Sequence, residues 1–347
     1  MRVLVTGSAG FIGSALTEAL TARGDEVVGV DLMLPEAHGP ADAPAGTHRL
    51  DVRDAEAWSD LLAGVDVVCH QAALVGAGVR VADLPHYASH NDHGTAALLA
   101  AMHGAGVRRL VLASSMVVYG EGRYDCPDHG PRPVRPRSVA RLEAGDFENH
   151  CDLCDAVLRW QLVEESAALD PRSAYAASKL AQEHYASAWA RQADGAVVAL
   201  RYHNVYGPGM PRDTPYSGVA AMFRSSLERG EAPQVFEDGG QARDFVHVSD
   251  VARANLAAVL TVAGEATGSL AAYNVCSGTP VTIGEVARLV ARGSGSALAP
   301  EVTGGFRLGD VRHVVASPEL ARRELGFTAQ VSPSAGLPEF ATAPLRS

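Results

Sequence analysis

The stretch from Arg2 to Gly24, RVLVTGSAGFIGSALTEALTARG, decides the fold class. Its first residues, RVLVT, form the short apolar run that is typical of a buried strand, and FIGSALTEALTARG has the apolar spacing of a helix that ends at Gly24. Gly7, Gly10 and Gly13 lie in and just after the turn between them. Because glycine has no side chain, the backbone of such a turn can approach a pyrophosphate, which then lies at the positive end of the helix. The stretch therefore predicts a strand, a phosphate-binding turn and a helix in succession.

An acidic residue at the end of the next predicted strand favours one dinucleotide over another. The strand EVVGVD ends at Asp31, 24 residues after Gly7. A carboxylate at this place accepts hydrogen bonds from a ribose and repels a 2′-phosphate. No arginine immediately follows Asp31. We therefore expect NAD rather than NADP as the cofactor; the alternative is that Asp31 only ends the strand.

Strand-like and helix-like segments alternate along the rest of the chain. The predicted strands are VDVVCH, RRLVLAS, AVVALRY and AAYNV, and the predicted helices are AEAWSDLLAG, NDHGTAALLAAMHGAG and AYAASKLAQEHYASAWARQ. Repeated βα units predict a parallel sheet with helices on both faces. The predicted fold class is therefore α/β, a Rossmann-type doubly wound parallel sheet with a smaller C-terminal α/β substrate-binding lobe. The expected cofactor domain is 1–202, with an insertion at about 121–170 and completion of the sheet at about 245–275, and the expected second lobe is 203–244 and 276–347.

Composition and charge exclude several classes of partner. The 347 residues are 47% hydrophobic, enough for a large core, and the net charge of −11 argues against binding to nucleic acid or to an anionic membrane. No apolar run is long enough to cross a bilayer and no charged leader precedes the first strand, so we expect a cytoplasmic protein. Five cysteines, an odd number scattered over a long chain, do not resemble a secreted disulfide framework.

One lysine stands out among the basic residues. Of the 29 lysines and arginines, only Lys179 is a lysine. It follows Tyr175 by four residues in a predicted helix, so that the phenol and the ammonium share one face. An ammonium is a compact charge that can lower the pKa of a neighbouring phenol by favouring the phenolate. The pair therefore predicts an activated tyrosine, with a chance exposed pair on a helix as the alternative.

Nine blocks of sequence, in order along nearly the whole chain, resemble a known family. They are TGSAGFIG, DVRD, HQAA, NDHGT, SSMVVYG, YAASK, LRYHNVYGPG, RDFVHVSDVA and RLGDVRH. Together they are similar to the extended short-chain dehydrogenase/reductase family, and most closely to its UDP-sugar 4-epimerases. The resemblance implies NAD as the cofactor, a UDP-sugar as the substrate and a homodimer.

The resemblance also implies roles for individual residues. It makes Ser115, Tyr175 and Lys179 the catalytic trio. Arg243 and Arg307 are expected to hold the diphosphate of the substrate. The residues implied in cofactor binding are Gly7, Gly10, Phe11, Ile12, Gly13, Asp31, Asp51, Val52, Gln71, Ala72, Ala73, Asn91, Tyr175, Lys179 and Tyr202. The residues implied in substrate binding are Ser115, Tyr175, Asn204, Val219, Phe236, Arg243, Arg307 and Asp310.

Two apolar residues after the serine narrow the reaction that the resemblance implies. Relatives that dehydrate a sugar have Asp-Glu where this chain has Met116 and Val117, and those that decarboxylate a uronic acid have glutamate at the second position. Methionine and valine cannot transfer protons. What remains is reversible hydride transfer: Tyr175 takes the proton of the sugar 4-hydroxyl, Ser115 hydrogen-bonds the same oxygen, and the transient 4-keto sugar is reduced on its other face. The alternatives are a decarboxylase, dehydratase or reductase of the same family, and a non-enzymatic module that senses NAD.

The chain departs from the family pattern near the sugar and the nicotinamide. His203 stands where the family usually has phenylalanine, so we expect the nicotinamide to pack differently. The sugar stays open between glucose, glucuronate and N-acetylhexosamine. Arg80 and Arg212 are candidates to pair with a 6-carboxylate, with solvated surface arginines as the alternative, and Val314 is small enough to admit an N-acetyl group.

A second departure is an insertion that contains cysteines. Between Gly120 and Tyr175 lie 54 residues, more than the family usually has. Two pairs within them have the pattern C-x2-H, then 21 residues, then C-x2-C, which fits a tetrahedral structural zinc site. The alternative is a loop with free thiols. The four candidate ligands are Cys126, His129, Cys151 and Cys154.

Overall fold

Strands and helices alternate along most of the chain. This computed structural model describes residues 1–39, 42–76, 78, 80–212, 218–264 and 267–346. The strands are β1 (Arg2–Thr6), β2 (Glu26–Asp31), β3 (Thr47–Arg49), β4 (Val67–His70), β5 (Arg109–Ser115), β6 (Arg123–Cys126), β7 (Gly130–Arg132), β8 (Arg159–Gln161), β9 (Ala196–Tyr202), β10 (Asn204–Tyr206), β11 (Gln234–Val235), β12 (Ala242–His247), β13 (Ser269–Val275), β14 (Pro280–Thr282) and β15 (Glu301–Val302). The helices are α1 (Phe11–Arg23), α2 (Pro35–His38), α3 (Leu84–Tyr87), α4 (Gly94–Gly104), α5 (Val139–Glu143), α6 (Ala174–Ala193), α7 (Val219–Glu228), α8 (Val248–Gly264), α9 (Ile283–Ser294) and α10 (Pro333–Phe340). Short 3₁₀ or π segments cover Val52–Leu62, Val81–Asp83, Ala88–His93, Met116–Tyr119 and Ala321–Leu325.

Seven strands form one parallel sheet in the order β13-β9-β5-β4-β1-β2-β3. The chain builds β1 to β3 in one direction and then returns to the other side of β1 for β4, β5, β9 and β13. A ligand crevice forms where the strand order reverses, outside the carboxyl ends of the strands. The predicted α/β fold with a Rossmann-type doubly wound parallel sheet is confirmed.

Two apolar cores cover the two faces of this sheet. Along β1, Val3 and Val5 pack on one face with Leu16 of α1, and Leu4 packs on the opposite face with Leu98 of α4. This division follows from the alternation of side chains along a strand. Because both faces are covered, the strands are apolar throughout, which is why the sequence shows continuous apolar runs rather than alternation.

A separate core lies among α7, α9 and α10. Phe223, Val290 and Phe340 are buried there together with Tyr206 of β10. Strands β10, β12 and β14 form a small sheet beside this core. The division of the chain into 1–202 and two later segments stays a prediction.

Residues near the C-terminus pack on the central sheet. Ala321, Leu325 and Phe327 pack into the core of the central sheet, although they fall in the segment expected for the second lobe. The π segment that carries the first two lies against α8 and the edge strand β13. The segment 321–327 therefore shields the apolar surface at this edge of the sheet from solvent.

The insertion forms a small unit of its own. Strands β7, β6 and β8 pair as an antiparallel sheet. The backbone N–H of His313, in the C-terminal part of the chain, donates to the Tyr124 hydroxyl of β6 at 3.0 Å. The insertion therefore contacts the segment 307–314. Within the part of the chain that the structure describes, no helix has the length and apolar character needed to span a membrane.

Candidate active site

The glycine-rich turn after β1 has room only for backbone. Gly7 adopts a left-handed φ of 68°, and a Cβ added to it would lie 2.7 Å from the backbone nitrogen of Ala72. A Cβ on Gly13 would collide with the Gly7 carbonyl oxygen. Helix α1 begins at Phe11 without a side-chain cap, so its first N–H groups stay available to an anion. These features fit the diphosphate of a dinucleotide.

The Asp31 carboxylate at the end of β2 is fixed by three donors. It accepts hydrogen bonds from the backbone N–H of Ala9 at 3.1 Å and of Met33 at 2.8 Å, and His38 Nε2 lies 3.3 Å away. Burial raises the pKa of Asp31, but the hydrogen bonds from His38 and Met33 outweigh it and hold the pKa below its ordinary value. Asp31 is therefore ionised and oriented, as recognition of a ribose requires.

Lys179 is buried at the carboxyl end of β5. It is 3% exposed, and its Nζ donates to the Ala113 carbonyl at 2.9 Å. Burial lowers the pKa of Lys179 to about 7, against the opposing effect of Glu183. Its Nζ lies 5.9 Å from the centre of the Tyr175 ring, one turn earlier on α6. Ser173 caps this helix by accepting a hydrogen bond from the Ala176 N–H at 3.1 Å, which fixes where the first turn begins.

Ser115 and Tyr175 meet at the same edge of the sheet. The Ser115 oxygen accepts a hydrogen bond from the Val117 N–H at 3.4 Å, and Ser115 is close enough to Tyr175 to influence the pKa of its phenol. Burial raises the pKa of Tyr175, and the hydrogen bond from Ser115 partly offsets this. The structure thus brings the predicted trio of Ser115, Tyr175 and Lys179 together.

The neighbouring serine has a different environment. The Ser114 hydroxyl donates to Glu183 Oε1 at 2.5 Å. Glu183 is also paired with the buried Arg201 at 2.8 Å, and Arg201 donates to the Tyr119 hydroxyl at 2.8 Å. Ser114 therefore belongs to a buried polar network, although it also lines the first cavity described below.

A cavity of about 370 Å³ lies at the point where the strand order reverses. Sixteen residues predicted for the cofactor or the substrate line it: Gly7, Gly10, Phe11, Ile12, Gly13, Asp31, Asp51, Val52, Gln71, Ala72, Ala73, Tyr175, Lys179, Tyr202, Asn204 and Val219.

Asn91, predicted to lie near the cofactor, is behind the wall of this cavity. It is fully buried, accepts from the Leu74 N–H at 2.7 Å and donates to the Ser178 hydroxyl at 2.8 Å. Asn91 therefore holds the backbone after β4 against α6, and direct contact with the cofactor stays a prediction.

A second cavity, of about 680 Å³, opens beside the trio. Met116 and Val117 line it, together with Asp310 and Val314. Among the described residues that line this cavity, Asp310 is the one carboxylate. Arg80 also lines it but is paired with Asp83 at 2.7 Å, and Arg212 pairs with Glu228 at 2.6 Å on the surface. Both candidates for a 6-carboxylate thus have carboxylate partners within the chain.

The arginines expected to hold the diphosphate differ in their surroundings. Arg243 donates to the carbonyls of Ala242, Val311 and Arg312 at 2.9, 2.6 and 2.7 Å. Its guanidinium is thus occupied by main-chain oxygens. The guanidinium of Arg307 is exposed and stacks on the Phe236 ring at 4.9 Å. The diphosphate roles of both arginines stay predictions.

His203 has an unusual environment for a histidine. It is 4% exposed, and neither ring nitrogen has a hydrogen-bond partner among the described residues. Burial and the nearby charge of Arg243 lower the pKa of His203 to about 3. The ring is therefore neutral and is buried in the way an apolar side chain would be.

His38 and Arg346 are two of the residues of the first cavity that the sequence did not predict. His38 lies beside Asp31, and Arg346 donates to the Ala9 carbonyl and lies 3.5 Å from the Ser14 hydroxyl, next to the glycine-rich turn. Neither belongs to a motif. Arg346 is distant in sequence from every other part of the site, so only the folded chain reveals it.

Comparison with known proteins agrees with this geometry. The sequence model of the NAD dependent epimerase/dehydratase family matches residues 3–139 and 160–276. The dTDP-L-rhamnose 4-epimerase of Burkholderia thailandensis is 35% identical over 353 aligned positions, which cover 98% of this chain and 94% of that protein.

Solved structures of epimerases are similar over the whole chain. The UDP-glucose 4-epimerase of Thermus thermophilus in complex with NAD is 32% identical, with a TM-score of 0.75 and coverage of 98% of both chains. The UDP-glucose 4-epimerase of Thermotoga maritima with UDP-glucose is 28% identical, with a TM-score of 0.79 and coverage of 98% of this chain and 97% of that one.

Proposed function

The chain belongs to the NAD dependent epimerase/dehydratase family, and we propose that it is an NAD-dependent 4-epimerase of a UDP-sugar. One observation carries the proposal. Ser115, Tyr175 and Lys179 meet at the carboxyl end of β5, and the adjacent cavity has Met116 and Val117 where proton-transferring side chains would be needed for elimination.

The residues of the first cavity fit a dinucleotide. The turn at Gly7 and Gly13 excludes side chains, and the ionised Asp31 faces the same space. NAD, when bound, supplies the acceptor and the donor of hydride at C4 of the sugar.

The protein contributes a base, a hydrogen bond and a charge. Tyr175 takes the proton of the 4-hydroxyl as its phenolate, and Ser115, which lies beside Tyr175, holds the same sugar oxygen. Lys179 carries a compact positive charge that favours the phenolate against the effect of burial. The same tyrosine returns the proton after the 4-keto sugar has turned, so that no other proton donor is required.

The nucleotide is the finer part of the proposal. UDP-sugars are the first candidate, and dTDP-sugars are the second because the Burkholderia relative is a dTDP-L-rhamnose 4-epimerase. The alternatives that the sequence left open, a decarboxylase, dehydratase, reductase or NAD-sensing module, predict other products or none. A homodimer and a cytoplasmic location also stay predictions.

A substrate panel tests the proposal. The purified protein is incubated with UDP-glucose, UDP-N-acetylglucosamine, UDP-glucuronate and dTDP-L-rhamnose, and products are separated by chromatography. We expect one sugar to give its C4 epimer at equilibrium without added NAD. Release of carbon dioxide, loss of water or net formation of NADH would support an alternative, and NAD binding without any turnover would support the sensor.

A further inference from the structure

The Cys/His cluster of the insertion is assembled in the folded chain. The ligand atoms of Cys126, His129, Cys151 and Cys154 all lie within 4.8 Å of one another. His129 Nδ1 is 3.5 Å from the Cys126 sulfur and 3.6 Å from the Cys151 sulfur, and the sulfurs of Cys126 and Cys154 are 3.6 Å apart. Bond lengths of about 2.3 Å to sulfur and about 2.1 Å to nitrogen place tetrahedral zinc ligands about 3.5–3.8 Å apart. These three separations match that arrangement, and the remaining pairs lie within 4.8 Å.

The local backbone supports this arrangement. Cys126 ends β6, and His129 lies in the turn to β7. The Asp155 N–H donates to the Cys151 carbonyl at 3.0 Å, which closes a turn around the second pair. Two short turns thus present two ligands each.

Apolar packing alone is a weak support for this region. The apolar core around the Cys/His site has four buried residues, Tyr124, Cys126, Cys151 and Leu158, and two of them are proposed ligands. A core of this size cannot offset the entropy of ordering such an insertion, and natural small units of this kind use a metal or disulfides. The three thiols and the imidazole lie within this small core, where a cross-link would stabilise the fold, and the three cysteines form no disulfide.

We propose that Cys126, His129, Cys151 and Cys154 bind a structural zinc ion, and that this ion holds the insertion against the segment 307–314. The family model leaves residues 140–159 unmatched, and this stretch contains the second ligand pair. The site therefore lies partly outside the portion of the chain that the family model describes.

Polar contacts connect the proposed metal site to the second lobe. Glu148, three residues before Cys151, pairs with the buried Arg312 at 2.6 Å and with His313 at 3.0 Å. Arg137 donates to the carbonyl of Asp310 at 2.8 Å. Asp310 lines the second cavity, so the insertion fixes one wall of it. This second part of the inference rests on the proposed function, because it assigns that cavity to the sugar nucleotide.

Metal content tests the zinc site directly. The protein is purified without a metal-binding tag and measured by elemental mass spectrometry, and we expect about one zinc per chain. Cys151→Ser and Cys154→Ser should lose the metal, whereas Cys276→Ala, which removes a buried thiol elsewhere, should keep it. His129→Cys preserves a tetrahedral set and should also keep zinc. Folded protein without metal, bound iron instead of zinc, a Cys126–Cys154 disulfide, or a folded metal-free His129→Cys variant would each overturn the proposal.

Metal removal and return test the structural role. Chelated wild-type protein should show a Tm lower by about 5 °C or more, and Zn²⁺ alone should restore it. Co²⁺ alone should give the thiolate-to-cobalt charge-transfer band of a tetrahedral site. An unchanged Tm after complete removal of metal would contradict a structural ion.

A kinetic measurement tests the connection to the substrate. In metal-free protein we expect KM for the sugar nucleotide to rise about tenfold while bound NAD is retained and kcat changes by less than about twofold. An unchanged KM would contradict the positioning role and leave the metal result standing. Metal content and Tm need no substrate, so failure of the epimerase proposal would not be mistaken for failure of the zinc site.

Discussion

The cofactor cavity and the insertion are held in place by different forces. The cavity lies at the edge of a seven-stranded sheet with a large apolar core on each face. The insertion has an apolar cluster of four buried residues around its cysteines and contacts the segment 307–314 through ion pairs of Glu148 and a hydrogen bond of Arg137. In the first region the backbone is fixed by packing, so changing a polar side chain should alter chemistry without altering the fold. In the second region the polar contacts are themselves the support, so changing one should move a wall of the site.

Tyr175→Phe should give the largest effect and belongs to the first region. Removing the phenol removes the base, and we expect kcat to fall about 10³-fold. The cavity walls and the insertion stay as they are, so bound NAD, Tm and zinc content should match those of the wild type. Product chromatography gives kcat, and absorbance of the nucleotide released on denaturation gives NAD. A kcat within tenfold of wild type would remove Tyr175 from the proposed role.

Lys179→Arg should lower kcat about 10²-fold although the charge is kept. The Lys179 ammonium is 3% exposed and donates to the Ala113 carbonyl, a place too small for a guanidinium. Turnover like that of the wild type would show that charge alone suffices. Lys179→Met is the matched variant without charge and should also be inactive.

Lys179→Met should also change how the free energy of unfolding depends on pH. Because burial lowers the pKa of Lys179 from 10.5 to about 7, the unfolded chain binds more protons than the folded chain between these values. The free energy of unfolding of the NAD-free protein should therefore rise with pH across this window, and Lys179→Met should remove that rise. Denaturant titrations at pH 7 and pH 9 measure it, and an unchanged slope in the variant would contradict a buried, titrating lysine.

Glu148→Gln, in the insertion, should weaken substrate binding without changing catalysis. The variant loses two charged contacts to Arg312 and His313, and we expect KM to rise about tenfold, equivalent to about 1.4 kcal/mol, with kcat nearly unchanged. Glu319→Gln, which breaks an exposed pair with Arg322, is the control and should change neither parameter. A fall in kcat with unchanged KM would show that the insertion does not act through substrate binding.

Acid should weaken the same contact in the wild type. Burial raises the pKa of Glu148, but the hydrogen bonds from His313 and Arg312 outweigh it and lower the pKa from 4.5 to about 2. The contribution of these contacts is complete above pH 4.5 and is lost as the pH falls toward 2. Glu148→Gln should lack this part of the acid sensitivity in thermal unfolding.

His203→Phe should give the smallest effect, a gain in stability within the first region. Replacing two unpartnered ring nitrogens by carbon should raise the free energy of unfolding by about 1 kcal/mol. With a pKa lowered from 6.5 to about 3, His203 makes the fold lose stability as the pH falls through this range, because the unfolded chain takes up the proton first. His203→Phe should therefore lose less folding stability than the wild type as the pH falls through this range.

The matched control for that variant is His70→Phe. His70 is equally buried, but its ring nitrogens contact the hydroxyls of Thr6 at 2.7 Å and Thr95 at 2.9 Å. Its replacement should therefore lower stability. If both variants lose stability to the same extent at neutral pH, the absence of hydrogen-bond partners at His203 does not lower the stability of the wild type.

The two regions also differ in how far the sequence predicts them. Gly7, Asp31, Tyr175 and Lys179 could be placed from sequence because their spacing along one strand or helix determines their geometry once the parallel sheet is given. The pattern of the four Cys/His residues likewise indicated that they would gather, since each pair lies within a single turn.

Other features depend on contacts between distant segments and left no local pattern. The carbonyl partners of Arg243, the Glu148–Arg312 pair, the position of Arg346 at the glycine-rich turn and the packing of Phe327 on the central sheet are of this kind. Each depends on where a later segment folds back, which periodicity and motif spacing do not specify. Asn91 shows the same limit, because its helix was predicted while its partners at Leu74 and Ser178 were not.

The central claim is that a cavity with Met116 and Val117 confines the reaction to hydride transfer at C4, and an isotope experiment tests it most directly. A substrate found active in the panel is prepared with deuterium at C4 and converted in ordinary water, and the unlabelled substrate is converted in deuterated water. The account predicts an epimer that keeps its C4 deuterium, no deuterium gained from solvent and no net NADH. Deuterium moved toward C6, exchange at C5, lost carbon dioxide or label washed out of C4 would contradict it.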